Sequence, residues 1–214
     1  MIETPTKDPN ATFIKTRRTQ APEYEIIKYI SQFMPVSEAQ AEAIVKNMKF
    51  RSFKKGTVLL KEGQVSKMCY FVLKGCIRQY FLVDGEEKTT NFFTEGQPVT
   101  ATAYEGTFKQ KPSKFYLACI EDTMVSLSSP EDELAFFEKF PNLKPARLLA
   151  TEEELGKSQD SLSSYILGSP EEHYLNLLKT RPELLDRVPQ YQLASYLGVT
   201  PESLSRIRKR IMIK

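Results

Sequence analysis

"VPQYQLASYLGVTPESLSRIRKRIMIK" occupies residues 188–214, and the turn "LGVTPE" inside it decides how the whole chain is read. Two amphipathic segments flank that turn, Gln190–Leu197 and Pro201–Ile211. Leu193, Ala194 and Leu197 share one side of the first, and Leu204 and Ile207 one side of the second. Ala194 is small where two helices must cross closely. Gly198 stands where a left-handed residue ends a helix. Val199 plugs the crevice under the turn. Thr200 is placed to cap the second helix, and Pro201 is its pre-organised first residue. These constrained positions predict a helix-turn-helix. A plain helical corner with a basic end, which the helix dipole also favours, would not need them all.

The second helix then turns Glu202, Ser203, Ser205, Arg206, Lys209 and Arg210 outward. Beyond Glu202 it carries Arg206, Arg208, Lys209, Arg210 and Lys214 with no acid. Such a helix suits a DNA major groove, where base edges and phosphates take these donors. Arg206 can offer a bidentate fork to guanine, and Glu202 can accept from the cytosine amine. Lys209 and Arg210 are expected on phosphates. Gln190, Thr200 and Pro201 complete the expected DNA-contacting set.

Upstream, the 214 residues suffice for a substantial core. The net charge of +3 identifies no partner by itself. Cys69, Cys76 and Cys119 are odd in number and scattered, which suits buried free thiols rather than disulfides or a metal cluster. No apolar run approaches the ~20 residues that span a bilayer, and no signal-peptide core is present, so a cytoplasmic chain is expected with no membrane partner. A single histidine, His173, leaves no inventory for a histidine-rich metal site, and it is poorly placed for a Ser–His–acid triad. No phosphate-cradling glycine motif is found. No enzyme and no metal site are expected.

Residues 1–21 are polar and read as a flexible arm. "PEYEIIKYISQFM" (22–34) and "SEAQAEAIVKNM" (37–48) read as amphipathic helices, the second with a capping box from Ser37 to Gln40. From Lys49 to about Ser129 come short runs rich in Val, Phe, Tyr and Leu, separated by glycines, the pattern of an antiparallel sandwich or barrel. "VDGEE" (83–87) is its best hairpin turn, because Asp-Gly supplies positive φ. After Pro130 the chain returns to helix. Leu148, Leu155 and Leu162 recur every seven residues and Ile166 follows four later, a seam that pairs helices. Thr151, Ser158 and Tyr165 make that seam imperfect, and a helix merely packed on its own sandwich is the alternative.

Glycine-punctuated strands, a long helix with a heptad and a terminal helix-turn-helix together resemble the CRP/FNR family of bacterial transcription regulators, over roughly residues 25–212. "KKGTVLLKEG…YFVLKG…DGEE…FFTEG" is similar to that family's cyclic-nucleotide-binding jelly roll, and "LASYLGVTPESLSRIRK" to its DNA reader. The resemblance implies an α+β chain: a jelly-roll sensor over 22–140, a dimerisation helix over 141–168 and a DNA-binding unit over 169–214. It implies a homodimer on a near-palindromic operator of double-stranded DNA, with RNA polymerase as a further partner. Glu202 and Arg206 match the family's base-contacting acid and arginine, whereas Pro201 stands where some members carry another arginine.

The family's phosphate cassette is degenerate here. Thr100-Ala101 replaces Gly-Glu, Ser113-Lys114 replaces Arg-Ser, and Glu154 and Ser158 fall near the nucleotide-facing positions of the long helix. A buried phosphate without an arginine partner is costly, so cyclic AMP is not the expected effector. A haem or an iron–sulfur cluster lacks ligands, and no cofactor is expected. Arg78, Tyr80, Thr100, Thr102, Tyr104, Lys114 and Ser158 are the candidate lining of an effector pocket. The alternative to a DNA-binding regulator is a small-ligand module whose helical tail contacts a protein.

Overall fold

A computed structural model describes residues 21–101, 104–105 and 109–213. The expected N-terminal arm therefore lies outside the described residues except for Ala21.

Helices α1 (Glu25–Ile30) and α2 (Glu38–Lys46) lead into the sandwich. The reciprocal cap at Ser37 forms as read: Ser37 Oγ accepts from the Gln40 amide, and Gln40 Oε1 accepts from the Ser37 amide. The first helix is shorter than the 22–34 expected. Residues 22–24 form a 3₁₀ turn, and after Ile30 the chain tightens into i→i+3 bonds from Gln32 to Tyr29 and from Phe33 to Ile30. Pro35 restricts the residue before it to extended backbone, so the helix cannot run on.

Ten short strands follow among the described residues: β1 (Lys49–Phe53), β2 (Val58–Leu60), β3 (Cys69–Lys74), β4 (Ile77–Val83), β5 (Glu86–Phe93), β6 (Pro98–Thr100), β7 (Tyr104–Glu105), β8 (Lys109–Gln110), β9 (Tyr116–Cys119) and β10 (Thr123–Ser128). They pair into two four-stranded sheets of order β1-β10-β3-β6 and β2-β9-β4-β5, all ladders antiparallel, with β7–β8 as a separate hairpin. This interleaving is a jelly roll. The Asp84-Gly85 turn joins β4 to β5 with φ of 53° and 81°, both positive as a type I′ hairpin turn requires.

Between the sheets lies an apolar filling that includes Leu60, Val72, Ile77, Val99, Leu117 and Val125. The outer faces are covered as well, and the strands show it. β3 is buried at Phe71, Val72 and Leu73 in succession, because one side faces the filling and the other faces helices. On the first sheet's outer face Phe71 and Leu73 pack with Ile26, Ile27, Ile44 and Leu143, and with Phe136 and Phe140 of the α3 region (α3, Pro130–Lys139).

Helix α4 (Lys144–Leu167) runs 24 residues and buries only Ala146 and Ala150. Leu148, Leu155, Leu162 and Ile166 are 60–69% exposed. The chain then folds into α5 (Pro170–Thr180), α6 (Leu184–Arg187), α7 (Gln190–Tyr196) and α8 (Pro201–Ile213). This helical unit is seated on the outer face of the second sheet. Phe92, Cys76 and Ile120 of the roll share one apolar cluster with Leu184, Leu193, Ala194 and Leu204. Phe92 meets Tyr196 edge to face at 5.3 Å. Ser195 pins the edge strand β5: its hydroxyl accepts from the Thr89 amide at 2.9 Å and donates to the Glu87 carbonyl at 3.0 Å. Arg187 forks to Glu95 at 2.8 and 2.9 Å and also binds Glu121, while Arg181 donates to Thr94 and Gln97. No helix among the described residues is long and apolar enough to cross a membrane.

Candidate nucleic-acid interface

The helical corner is built from α7 (Gln190–Tyr196), the turn Leu197–Thr200 and α8 (Pro201–Ile213). Leu193, Ala194, Leu197, Leu204 and Ile207 are at most 5% exposed, so the crossing of α7 and α8 is the apolar corner expected of these residues. Gly198 adopts φ +68°, and the Val199 amide reaches back to the Ala194 carbonyl, which closes α7. A Cβ at Gly198 would also stand 2.7 Å from the Tyr165 hydroxyl at the end of α4. Tyr165 in turn stacks on His173 at 5.0 Å, so the end of the long helix is laid against the turn.

Thr200 caps α8 by accepting from the Ser203 amide at 3.2 Å. The cap leaves Pro201, Glu202, Ser205, Arg206, Lys209 and Arg210 exposed on one outward side. Gln190, also exposed, borders the same shallow depression as Pro201, Glu202, Ser205 and Arg206. The structure thus gathers most of the expected DNA-contacting residues on a single surface.

Three of them differ in detail from the reading. Ser203 is half-buried rather than outward, and its hydroxyl accepts from Arg206 at 3.2 Å, so it orients that guanidinium. Its position one turn before Arg206 makes that bond possible. Arg210 lies 3.3 Å from Glu171 of α5, an intramolecular ion pair. Thr200 spends its oxygen on the cap. Tyr191 was missed. It is 60% exposed and borders the same depression, with its hydroxyl accepting from the Gln192 side-chain Nε2 at 3.0 Å. The signal was an aromatic between two glutamines at a helix start, where nothing in a buried stripe calls for it.

Glu202 is ionised at neutral pH. Its own backbone amide, the Thr200 hydroxyl and Arg206 together hold its carboxyl below the usual range. The site therefore offers one carboxylate acceptor beside Ser205 and Arg206, with Lys209 a turn further along.

Among the described residues, Arg78 and Tyr80 meet on β4, while Thr100, Lys114 and Ser158 stand on other elements. Arg78 is 3% exposed on β4 and is consumed by the roll: it pairs with Glu87 at 2.5 Å, donates to Thr89 at 2.8 Å and lies over Tyr80. Tyr80 stacks on Tyr116. Both belong to the ground on which α7 sits, since Glu87 and Thr89 are the residues that bind Ser195. Thr100 is exposed on the edge strand β6, Lys114 is exposed in the loop before β9, and Ser158 is exposed on α4. Thr102 and the Tyr104 side chain lie outside the described residues. Ser113 is buried, donating to the Phe115 carbonyl and accepting from its amide, which fixes the turn into β9.

Residues 50–139 match a family profile, the cyclic nucleotide-binding domain. No curated protein sequence matches the chain. Among solved structures, a CooA variant from Carboxydothermus hydrogenoformans superposes with a TM-score of 0.60 at 14% identity, over 82% of this chain and 81% of that one. CLP of Xanthomonas campestris, a c-di-GMP responsive global regulator, gives 0.60 at 18% identity, over 80% and 92%. FixK2 of Bradyrhizobium japonicum gives 0.58 at 20% identity, over 78% and 85%. At these identities the likeness is one of fold.

Proposed function

We propose that this chain, which has the fold of the CRP/FNR regulators and a cyclic nucleotide-binding domain at residues 50–139, is a DNA-binding transcription regulator acting as a homodimer. The observation that carries the reading is the outward side of α8. A capped helix exposes Glu202, Ser205, Arg206 and Lys209 together, beside Gln190 and Tyr191, with Arg206 held by Ser203. Arg206 reads guanine, Glu202 reads cytosine, and Lys209 binds phosphate. Ser205 and Gln190 supply neutral hydrogen-bonding groups at the rim.

The exposed leucines of α4 support the dimer. A stripe of Leu148, Leu155, Leu162 and Ile166 on a 24-residue helix has no intramolecular cover in proportion to its apolar surface. Pairing it would set two readers on successive major grooves, about 34 Å apart. Cyclic AMP is not the effector in this reading, because the arginine that would neutralise its phosphate is absent from the cassette and Arg78 is committed to Glu87. RNA polymerase is the partner that a DNA-bound regulator of this kind would meet.

The test is selection of sites from a random duplex pool at near-physiological salt, with wild type and Arg206→Ala in parallel, each with and without cyclic AMP. Wild type is expected to enrich a palindrome whether or not the nucleotide is present. Arg206→Ala should lose preference at one base pair per half-site, at about 1–3 kcal/mol. Equal loss on every sequence would reassign Arg206 to phosphate. No enrichment under any condition would favour a ligand module whose tail contacts protein.

A further inference from the structure

On the outer face of the first sheet, the structure has a partly open cavity of about 370 Å³. Its floor is the outer side of β3, β6 and β10, and its walls come from α1, α3 and the first turns of α4. Tyr29, Phe33, Phe71, Phe136, Ala146 and Ala150 give it a mainly apolar and aromatic lining. That size falls within the range of small-molecule pockets, roughly 300–1,000 Å³.

The charges at its rim say what it takes. Lys49 pairs with Asp132 at 2.6 Å, Arg147 lies 3.9 Å from Glu133, and Lys139 donates to Asn47 at 2.6 Å. Each cation has a partner within the chain, and none is buried and aimed inward. An anionic headgroup would meet only solvent-exposed cations, two of them already beside carboxylates, whereas a neutral ring system needs only to replace water against apolar atoms.

We propose that this cavity, which Thr100 of the degenerate cassette also borders, is a binding site for a neutral, largely aromatic or aliphatic small molecule. Its occupant touches α4 directly. Ala146 and Ala150 are one turn apart on the inner flank of that helix, while Leu148 projects from it to solvent at 61% exposure. A ligand seated there replaces solvent along the flank of the helix that carries the leucine stripe.

The chain has no tryptophan, so Phe33→Trp places a single fluorescent donor in the cavity wall. The full chain would be titrated with N-phenyl-1-naphthylamine, which is neutral, and with its anionic relative 1-anilinonaphthalene-8-sulfonate. The neutral dye should quench the tryptophan saturably at one per chain, and the sulfonate should bind at least tenfold more weakly. Ala150→Phe should lose tenfold or more in dye affinity, and Ala146→Leu serves the same purpose should the first variant unfold by circular dichroism. Absent quenching, equal binding of the sulfonate, or dye binding unchanged in a folded filling variant would overturn the proposal. So would loss of the dye as the chain self-associates, because the cavity would then seat a second copy.

Discussion

Gly198 concentrates three demands at one residue. It must adopt a left-handed φ to end α7, it must let the chain turn within a few residues to Thr200, and it must leave room for the Tyr165 hydroxyl 2.7 Å from where a Cβ would stand. The first demand alone costs a side-chain-bearing residue about 1–2 kcal/mol. Gly198→Ala should therefore destabilise by at least about 1–2 kcal/mol, read as a lowered urea midpoint at unchanged slope. Because Tyr165 is at the exposed end of α4, Tyr165→Ala should restore part of that loss in the double variant; strict additivity would mean that the contact is idle. This residue was legible in the sequence through its place between Leu197 and Val199. The Tyr165 contact was not, since it depends on where a helix more than thirty residues earlier comes to lie.

At the scale of elements, local chemistry was the readable part. The reciprocal cap read at Ser37 forms, and the structure adds the same device at Ser129 and Ser169, each bond joining near neighbours in the chain. The hairpin at Asp84-Gly85 is legible for the same reason. What escaped is non-local. Arg78 looked like a ligand-binding arginine among aromatics, but its partners Glu87 and Thr89 sit across the hairpin and absorb it. The short β7–β8 hairpin had no apolar alternation to announce it. The heptad in α4 is intermediate: its spacing was plain, and its exposure is what gives the spacing a meaning. Leu155 is 60% exposed, so an acid there does not disturb the folded protomer, yet it would sit inside a paired seam. Leu155→Asp is expected to leave the circular dichroism spectrum unchanged and to convert a dimer into a monomer by light scattering. A variant that remains dimeric would place the interface off this stripe.

At the scale of the whole molecule, the C-terminal helical unit and the jelly roll do not hang on a linker; they share a core. Cys76 and Phe92 are fully buried in the cluster that also holds Leu184 and Leu204, and burial of a side chain such as Phe92 contributes about 1.5–3 kcal/mol. Arg187 closes the edge of this joint with Glu95 and Glu121. Burial raises the Glu95 carboxyl, but bonds from Arg187 and from the Gly75 amide outweigh it and hold it below its ordinary value. A carboxylate depressed in the folded state stabilises above its unfolded pKa and loses that contribution as pH falls through the lower, folded value. The joint should thus be fully held at neutral pH and loosen in acid, below about pH 4. Cys76 reports on it. Its thiol is pushed up to about 12 by burial, so while the joint is closed it is both unreachable and protonated. Labelling by 4,4′-dithiodipyridine, located by peptide mass, should be slow at Cys76 at pH 7 and rise as the pH falls below about 4. Arg187→Ala, which strips two carboxylates of their partner, should raise labelling at pH 7 several-fold, on the order of 1 kcal/mol of opening, and flatten the rise in acid. Cys76 labelled at the same rate in both proteins would mean that the apolar contacts alone hold the helical unit to the sheet.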